Sequence, residues 1–413
     1  MRRLFTSKTE LLACLLPAFL ACAFLLQPRT AGAVFTFVYQ DKKFAVDTET
    51  VNSWHRPGSA FPASNLIEEK NSESQLAAEY FNQPAIKGKD SGSTYNYSPA
   101  LVYKYINGLA KEIDLPAIEP ELAILNQRAI KFTPPQNGLN TDVFESTKSA
   151  LYALQNGQSS SNLTIGVSEP KTKLSDLNDL GIKELVARGE SSFKGSPKNR
   201  RHNIQIGVDK MSGIILLPGE EFSFNKFLGP VEADQGFLPE LVIKKDGTKP
   251  ELGGGLCQVS STTFRAAMAA GLPIKERKNH AYAVQYYSPQ GTDATIYPGS
   301  VDLKFVNDTP GSLLIWPYLK DKDHLNFDFY GTKDSRAVTL FKPVQYDRKE
   351  DGSMKATWER EVIKNGIAKK DVFKSVYQSP ALFHKEETFV NASSTPAAAA
   401  KPASPTPVTP TSN

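Results

Sequence analysis

Gly253-Gly254-Gly255-Leu256-Cys257-Gln258-Val259-Ser260-Ser261-Thr262 joins two kinds of backbone in one short stretch. The glycine triplet can turn sharply or let main chain approach a ligand closely, because no Cβ restricts it. From Thr262 to Ala270 the chain is rich in Ala and Met and reads as helix, with Gly271 and Pro273 as its stop. Cys257 therefore falls at or just before a helix N-terminus. Unpaired amides and the helix dipole favour a thiolate there and lower the thiol pKa. The same amides, with the Gln258 side chain, suit an oxyanion formed during acyl transfer. The competing reading of Cys257 is a small buried hydrophobe in a Gly-rich turn.

A cysteine nucleophile needs a base that titrates near neutrality, and the chain has five histidines: His55, His202, His280, His324 and His384. His280 is favoured, since it follows the helix and opens a run, Ala281 to Tyr287, that reads as a strand able to return beside the helix start. His202 is the alternative. A third group should orient the imidazole, and Asp293 in Gly291-Thr292-Asp293 is the first candidate, with Glu276 and Asn307 behind it. Gly255, Gln258, Ser260 and Arg277 are the candidates for oxyanion or substrate contact, Arg277 through bidentate bonding to a carboxylate. No paired cysteines and no His-x-x-x-His spacing point to a metal, and neither metal nor cofactor is expected.

The chain ends sharpen the argument about Cys257. Arg2, Arg3 and Lys8 precede an apolar run from Leu11 to Leu26, which is followed by Ala31-Gly32-Ala33. This is the layout of an export signal over residues 1–33 with cleavage after Ala33. The run is shorter than the ~20 residues of a spanning helix, so membrane contact is expected only through this segment if it stays uncleaved. Of the three cysteines in 413 residues, Cys14 and Cys22 leave with the signal. Cys257 then remains alone in an oxidising compartment, where an unpaired thiol needs a reason. Removing the signal also brings the net charge of +4 close to neutrality, so nothing electrostatic points to nucleic acid. With 40% hydrophobic residues the chain has material for a real core, and a disulfide-stapled mini-protein is excluded. Residues 391–413, rich in Pro, Ala, Ser and Thr, read as a disordered tail.

Between the ends the texture is α+β. Residues 34–185 mix both elements: Val34 to Tyr39 is strand-like, and the polar stretch from Gln83 to Tyr97 reads as loop. Leu101, Ile106, Leu109 and Ile113 mark a helix interrupted by Pro116. Phe144, Thr147, Leu151 and Leu154 mark a second helix stopped by Asn156-Gly157, and Leu163, Ile165 and Val167 alternate as a strand. Residues 186–320 hold the motifs, from Gly189, Ser191, Arg200 and Asn203 through the cysteine block to Asp302 and Asn307. Residues 321–390 read as a β-rich extension without a site, with hairpin signals at Asp351-Gly352 and Asn365-Gly366 flanking Thr357 to Ile363.

The series from Gly189 to Asn307, above all the block Gly253 to Ser260 with His280 and Gly291-Thr292-Asp293-Ala294-Thr295, closely resembles the VanW family of bacterial envelope proteins. Some members of that family are regarded as L,D-transpeptidases that cross-link peptidoglycan stem peptides through the cysteine. Carried over by position, the resemblance implies that Cys257 is the nucleophile and His280 the base, in a secreted or envelope-associated protein whose partner is the peptidoglycan stem peptide. Residues 186–320 would be the VanW-like domain. The arrangement upstream, with Pro134-Pro135 and Gly138-Leu139-Asn140, resembles a peptidoglycan-binding module. Two other functions stay open: a thiol hydrolase of wall peptides of the papain or NlpC type, suggested by the Cys-before-His order, and a non-catalytic peptidoglycan-binding or scaffold protein linked to glycopeptide resistance.

Overall fold

The computed structural model describes residues 33–55, 97–244 and 247–383. The expected export signal, apart from Ala33, lies outside these residues. So do the tail, His384 and most of the polar loop before Tyr97. Among the described residues no helix is long and apolar enough to cross a membrane. Helices and sheets are both present throughout, and the chain divides into two compact units.

The first unit comprises residues up to Ile118 together with Gln136–Pro170. Strands Ala33–Tyr39 and Lys42–Asp47 form a hairpin, and Ser160–Asn162 adds parallel to the first of them. Helix Pro99–Ile113 starts at Ser98, whose hydroxyl accepts from the Leu101 amide, and it ends ahead of Pro116. It buries Val102, Ile106, Ala110 and Ile113, which recur at helical spacing. Helix Val143–Gln155 is capped by Asp142 and ends at Asn156, after which Gly157 adopts φ 68°. Phe35, Phe37, Trp54, Ile106 and Leu151 form the core of this unit.

The second unit comprises Glu119–Pro135 and the chain from Lys171 onward. Its largest sheet has six antiparallel strands in the order Glu121–Leu125, Arg128–Thr133, Ile214–Leu216, Leu313–Leu319, His324–Gly331 and Glu184–Ser192. The domain boundaries expected at 185 and 320 are therefore not structural ones. The hairpin of residues 119–135, expected upstream, belongs to this sheet, because the Phe132 ring packs edge-on against Trp316 and Tyr330. Arg128 also donates to the carbonyls of Lys210 and Ser212 at the end of helix Lys198–Met211. A boundary at 320 would separate a pair of strands that bond along their whole length.

Helix Leu256–Ala269 packs on the two strands at the edge of this sheet. It approaches so closely at Gly189 that a Cβ there would lie 2.3 Å from the Thr262 carbonyl oxygen, and Ser191 Oγ meets Thr262 Oγ1 at 2.6 Å. Only glycine fits that contact. Phe264, Ile204, Leu313, Phe327 and Phe329 belong to the core that results. A three-stranded sheet carries Glu221–Ser223, Lys304–Val306 and Ile274–Glu276.

Beyond residue 331 the chain forms a four-stranded antiparallel sheet whose centre is the hairpin Met354–Lys364 and Ile367–Tyr377. Asn365 and Gly366 make its turn with φ 51° and 77°, the positive values a two-residue hairpin requires. This sheet is fastened to the Cys-bearing helix by Arg360. Its buried guanidinium donates to the carbonyls of Ala267, Met268 and Leu272 at the helix C-terminus and pairs with Asp371.

Candidate active site

Cys257 sits in the first turn of helix Leu256–Ala269, one residue after the position at which the helix starts. Gly255 precedes the helix with φ 117°, a left-handed conformation that a side chain would strain. A Cβ at Gly255 would also lie 3.0 Å from Arg200 Cγ and from the Arg200 carbonyl oxygen. The Leu256 and Gln258 amides bond to the carbonyls of Gly253 and Gly255, and neither bond uses the Cys257 amide. The half-buried thiol lies 3.5 Å from Thr295 Oγ1 and 3.7 Å from the Ile296 carbonyl.

His280 reaches this thiol without the strand expected over Ala281 to Tyr287. Residues 278–280 instead run beside 293–295 through a single bridge between Lys278 and Thr295, and Gln285–Tyr287 forms a turn of 3-10 helix. The loop folds back so that the Tyr287 ring stacks on the imidazole, with centroids 4.1 Å apart and planes 12° from parallel. His280 Nδ1 bonds to Asp293 Oδ2 at 2.7 Å, and the His280 backbone amide donates to the same oxygen at 2.7 Å. The other ring nitrogen, Nε2, is buried without a hydrogen-bond partner. It is the nitrogen left to serve the thiol.

The electrostatics follow from these contacts. Burial raises the Cys257 pKa, but the neighbouring imidazole and the Thr295 hydroxyl more than offset it, and the net shift is downward. Burial disfavours charge on His280, yet Asp293 and the thiol outweigh it and lift the imidazole to about 9. Asp293 is desolvated as well, but the bonds from His280 and the charge of Arg277 hold it well below the usual carboxylate range. A charged imidazolium beside a thiolate, oriented by an ionised carboxylate, is what these shifts favour.

Asp293 is itself held from several sides. Arg277 Nη2 donates to Oδ1 at 3.2 Å, and the Tyr377 hydroxyl donates to the same oxygen while accepting from the Gly291 amide at 2.7 Å. Ser260 Oγ donates to the Ala294 carbonyl at 2.6 Å, and Ser261 Oγ accepts from the Ala294 amide at 3.0 Å, fastening this segment to the helix.

Several expected roles change. Arg277 does not face a substrate: its buried guanidinium is committed to Asp293, the Gly291 carbonyl and Ser375 Oγ, so it positions Asp293. Ser260 is buried and occupied by backbone carbonyls, and the Gln258 amide is taken by Arg200 and the Ser192 carbonyl. Neither side chain is free to bond an oxyanion. Glu276 bonds the Asp302 amide and Lys304, and Asn307 bonds the carbonyls of Leu216 and Gly311, so neither orients the imidazole. His202 is engaged with the Gly236 carbonyl.

Three contributors escape sequence reasoning. Tyr287 lies in the run read as strand, and Thr295 lies inside a quoted motif without an assigned role. Tyr377 comes from the extension read as siteless, 84 positions from Asp293. Only Thr295 carried a local signal, its place two residues after the aspartate.

Fold and site together define a class: an α+β unit in which a cysteine at a helix N-terminus meets a histidine oriented by an aspartate. The family model described as VanW like protein matches residues 199–330, which span helix Lys198–Met211 to strand His324–Gly331 and contain all three residues. The uncharacterized protein YoaR of Bacillus subtilis (strain 168) is 30% identical over 221 residues, covering 53% of this chain and 72% of that protein. The vancomycin B-type resistance protein VanW of Enterococcus faecalis (strain ATCC 700802 / V583) is 29% identical over 164 residues, covering 38% of this chain and 58% of its own length. No solved structure matches. The chain belongs to the VanW family.

Proposed function

We propose that this protein is an exported, cysteine-dependent acyl-transfer enzyme that acts on peptidoglycan stem peptides as an L,D-transpeptidase. The observation that carries the reading is the orphaned Nε2 of His280, buried beside the Cys257 thiol while Nδ1 is fixed by Asp293. An imidazole with one nitrogen committed and the other open is arranged to take and return a proton.

In this reaction the Cys257 thiolate attacks the carbonyl that joins the L-centre of a diamino acid to the terminal D-Ala. The tetrahedral oxyanion is met by the Cys257 backbone amide at the helix start, the one that the Gly253 and Gly255 carbonyls leave unused. Collapse breaks the C–N bond, and His280 Nε2 hands its proton to the departing D-Ala amine, which leaves a thioester on Cys257. The amine of a neighbouring stem attacks that thioester, His280 accepts its proton, and the thiolate departs with the cross-link formed. The name of the Enterococcus relative associates that protein with vancomycin resistance, which agrees with wall chemistry for this chain. The first unit is read as the module that contacts the wall.

Incubating the exported form with disaccharide-tetrapeptide and following products by mass, beside a Cys257→Ala variant, tests the proposal. Cross-linked dimer that disappears in the variant is the expected result. Shortened stems without dimer would make the protein a thiol hydrolase, and identical profiles for the two proteins would end the case for catalysis by Cys257. A carbapenem adduct on Cys257 would be independent support.

A further inference from the structure

Among the described residues two arginines are buried as whole residues, to 6% exposure or less, and they differ in one respect. Arg360 pairs with Asp371. Arg200 has no carboxylate within 4.0 Å among the described residues, although it lies against the start of the Cys-bearing helix. Its Nη1 donates to Ser196 Oγ at 2.7 Å and its Nη2 to Gln258 Oε1 at 3.1 Å, both neutral groups. Its guanidinium also lies 4.2 Å from the centroid of the Tyr286 ring, next in sequence to the Tyr287 that stacks on His280. A buried cation without a counter-ion is expensive, and proteins rarely keep one where no anion arrives. Ser196, Gln258, the Tyr287 hydroxyl and the Tyr286 face fix the orientation of the planar fork, and the N–H groups they leave over are of the kind that pair with a carboxylate.

We propose that Arg200 is a specificity-determining residue that binds a carboxylate of the acyl donor beside the Cys257 thiol. The inference rests on the acyl-transfer reading for its substrate, and its chemistry is that of a free peptide carboxylate next to the scissile carbonyl. Two such groups lie on the residues that flank the scissile bond: the C-terminal carboxylate of the departing D-Ala and the side-chain carboxylate of the diamino acid. Either would supply the missing counter-ion to Arg200.

Two measurements test this on the full protein. The first needs no turnover: Cys257 is alkylated with anionic iodoacetate and with neutral iodoacetamide, and the two rates are compared. Removing a buried positive charge near the thiol should lower the iodoacetate-to-iodoacetamide ratio about tenfold or more in Arg200→Gln, while Arg200→Lys, which keeps the charge, retains most of it. The second compares tetrapeptide donors with free carboxylates against donors amidated at the C-terminus or at the diamino acid. Wild type should discriminate against one amidated donor, which identifies the carboxylate bound, and both Arg200 variants should lose that discrimination. Circular dichroism checks the fold of each variant, and Arg200→Lys carries the test if Arg200→Gln does not fold.

A ratio and a donor preference unchanged in a folded Arg200 variant would overturn the proposal. If no donor is turned over by wild type, the acyl-transfer reading fails. The alkylation ratio then still decides whether Arg200 attracts an anion to this thiol.

Discussion

Asp293 Oδ2 accepts hydrogen bonds from both the backbone amide and the ring Nδ1 of His280, each at 2.7 Å. One carboxylate oxygen thus sets the main-chain position, the ring orientation and the tautomer of the histidine. The other oxygen is held by Arg277 and Tyr377, so the aspartate has little freedom to release its hold.

Asp293→Asn removes the charge that favours the imidazolium and leaves the amide free to present the wrong tautomer. Turnover of a stem-peptide donor should fall by about 10³-fold or more, as expected when an orienting carboxylate is lost from a triad. Alkylation of Cys257 at neutral pH should slow as well. A loss of less than about tenfold in kcat/KM would show that Asp293 is a structural residue only.

The pH dependence of the thiol follows from its downward shift. Iodoacetamide reactivity of Cys257 should rise with pH at values below the thiol's ordinary 9.0, and His280→Gln should move the midpoint upward by removing the partner that lowers it. A wild-type midpoint at or above 9.0 would contradict the interaction between the two side chains.

Stability should carry the same signatures. His280 is raised above its ordinary 6.5 to about 9, so its contribution is complete below 6.5 and is lost as the pH rises through about 9. Asp293 is depressed, so its contribution is present above its ordinary 3.8 and is lost as the pH falls below that value. Thermal melts of wild type against His280→Gln should converge on the alkaline side, and melts against Asp293→Asn should converge on the acid side. Differences that stay constant across both windows would exclude this linkage.

Tyr377→Phe leaves Asp293 Oδ1 with Arg277 and deprives the Gly291 amide of its acceptor. A buried donor left unpaired costs about 1–3 kcal/mol. The expected result is a lower melting temperature and a roughly tenfold loss of kcat with KM little changed, because Tyr377 acts only through Asp293. An altered KM with an unchanged pH profile would instead place Tyr377 against the substrate.

Gly189→Ala tests the seat of the Cys-bearing helix. The added methyl would meet the Thr262 carbonyl at 2.3 Å and the Ala266 amide nitrogen at 2.5 Å, both backbone atoms of the helix that carries Cys257. Overpacking of this kind costs about 1–3 kcal/mol or more, and the helix start should shift with it. Both the melting temperature and the alkylation rate should drop. A variant indistinguishable from wild type in both would show that the helix yields at no cost.

Local rules were enough to read some of this from the chain. A glycine triplet followed by a run rich in Ala and Met can hardly be anything but a turn into a helix. The Asn365-Gly366 pair between alternating runs specifies a tight hairpin, because few residues accept two successive positive φ angles. Cys257, His280 and Asp293 were legible as candidates because each chemistry allows few residue types, and their motifs lie within one stretch of chain. The roles of Arg277, Gln258 and Ser260 were not legible. Whether a polar side chain faces a substrate or the protein's own carbonyls depends on neighbours far away in sequence. Arg277 is bonded to Ser375 and lies close to Tyr377, which also bonds Asp293, and both partners arrive on a hairpin whose sequence signal, the Asn365-Gly366 turn, says nothing of a site. The insertion of residues 119–135 into the large sheet was equally hidden, since strand pairing is a long-range choice made by packing against Trp316 and Tyr330. Residue types and their spacing limit which side chains can perform the chemistry. Tertiary packing decides which of them stand free to do so, because hydrogen bonds and burial commit the rest to holding the site in place.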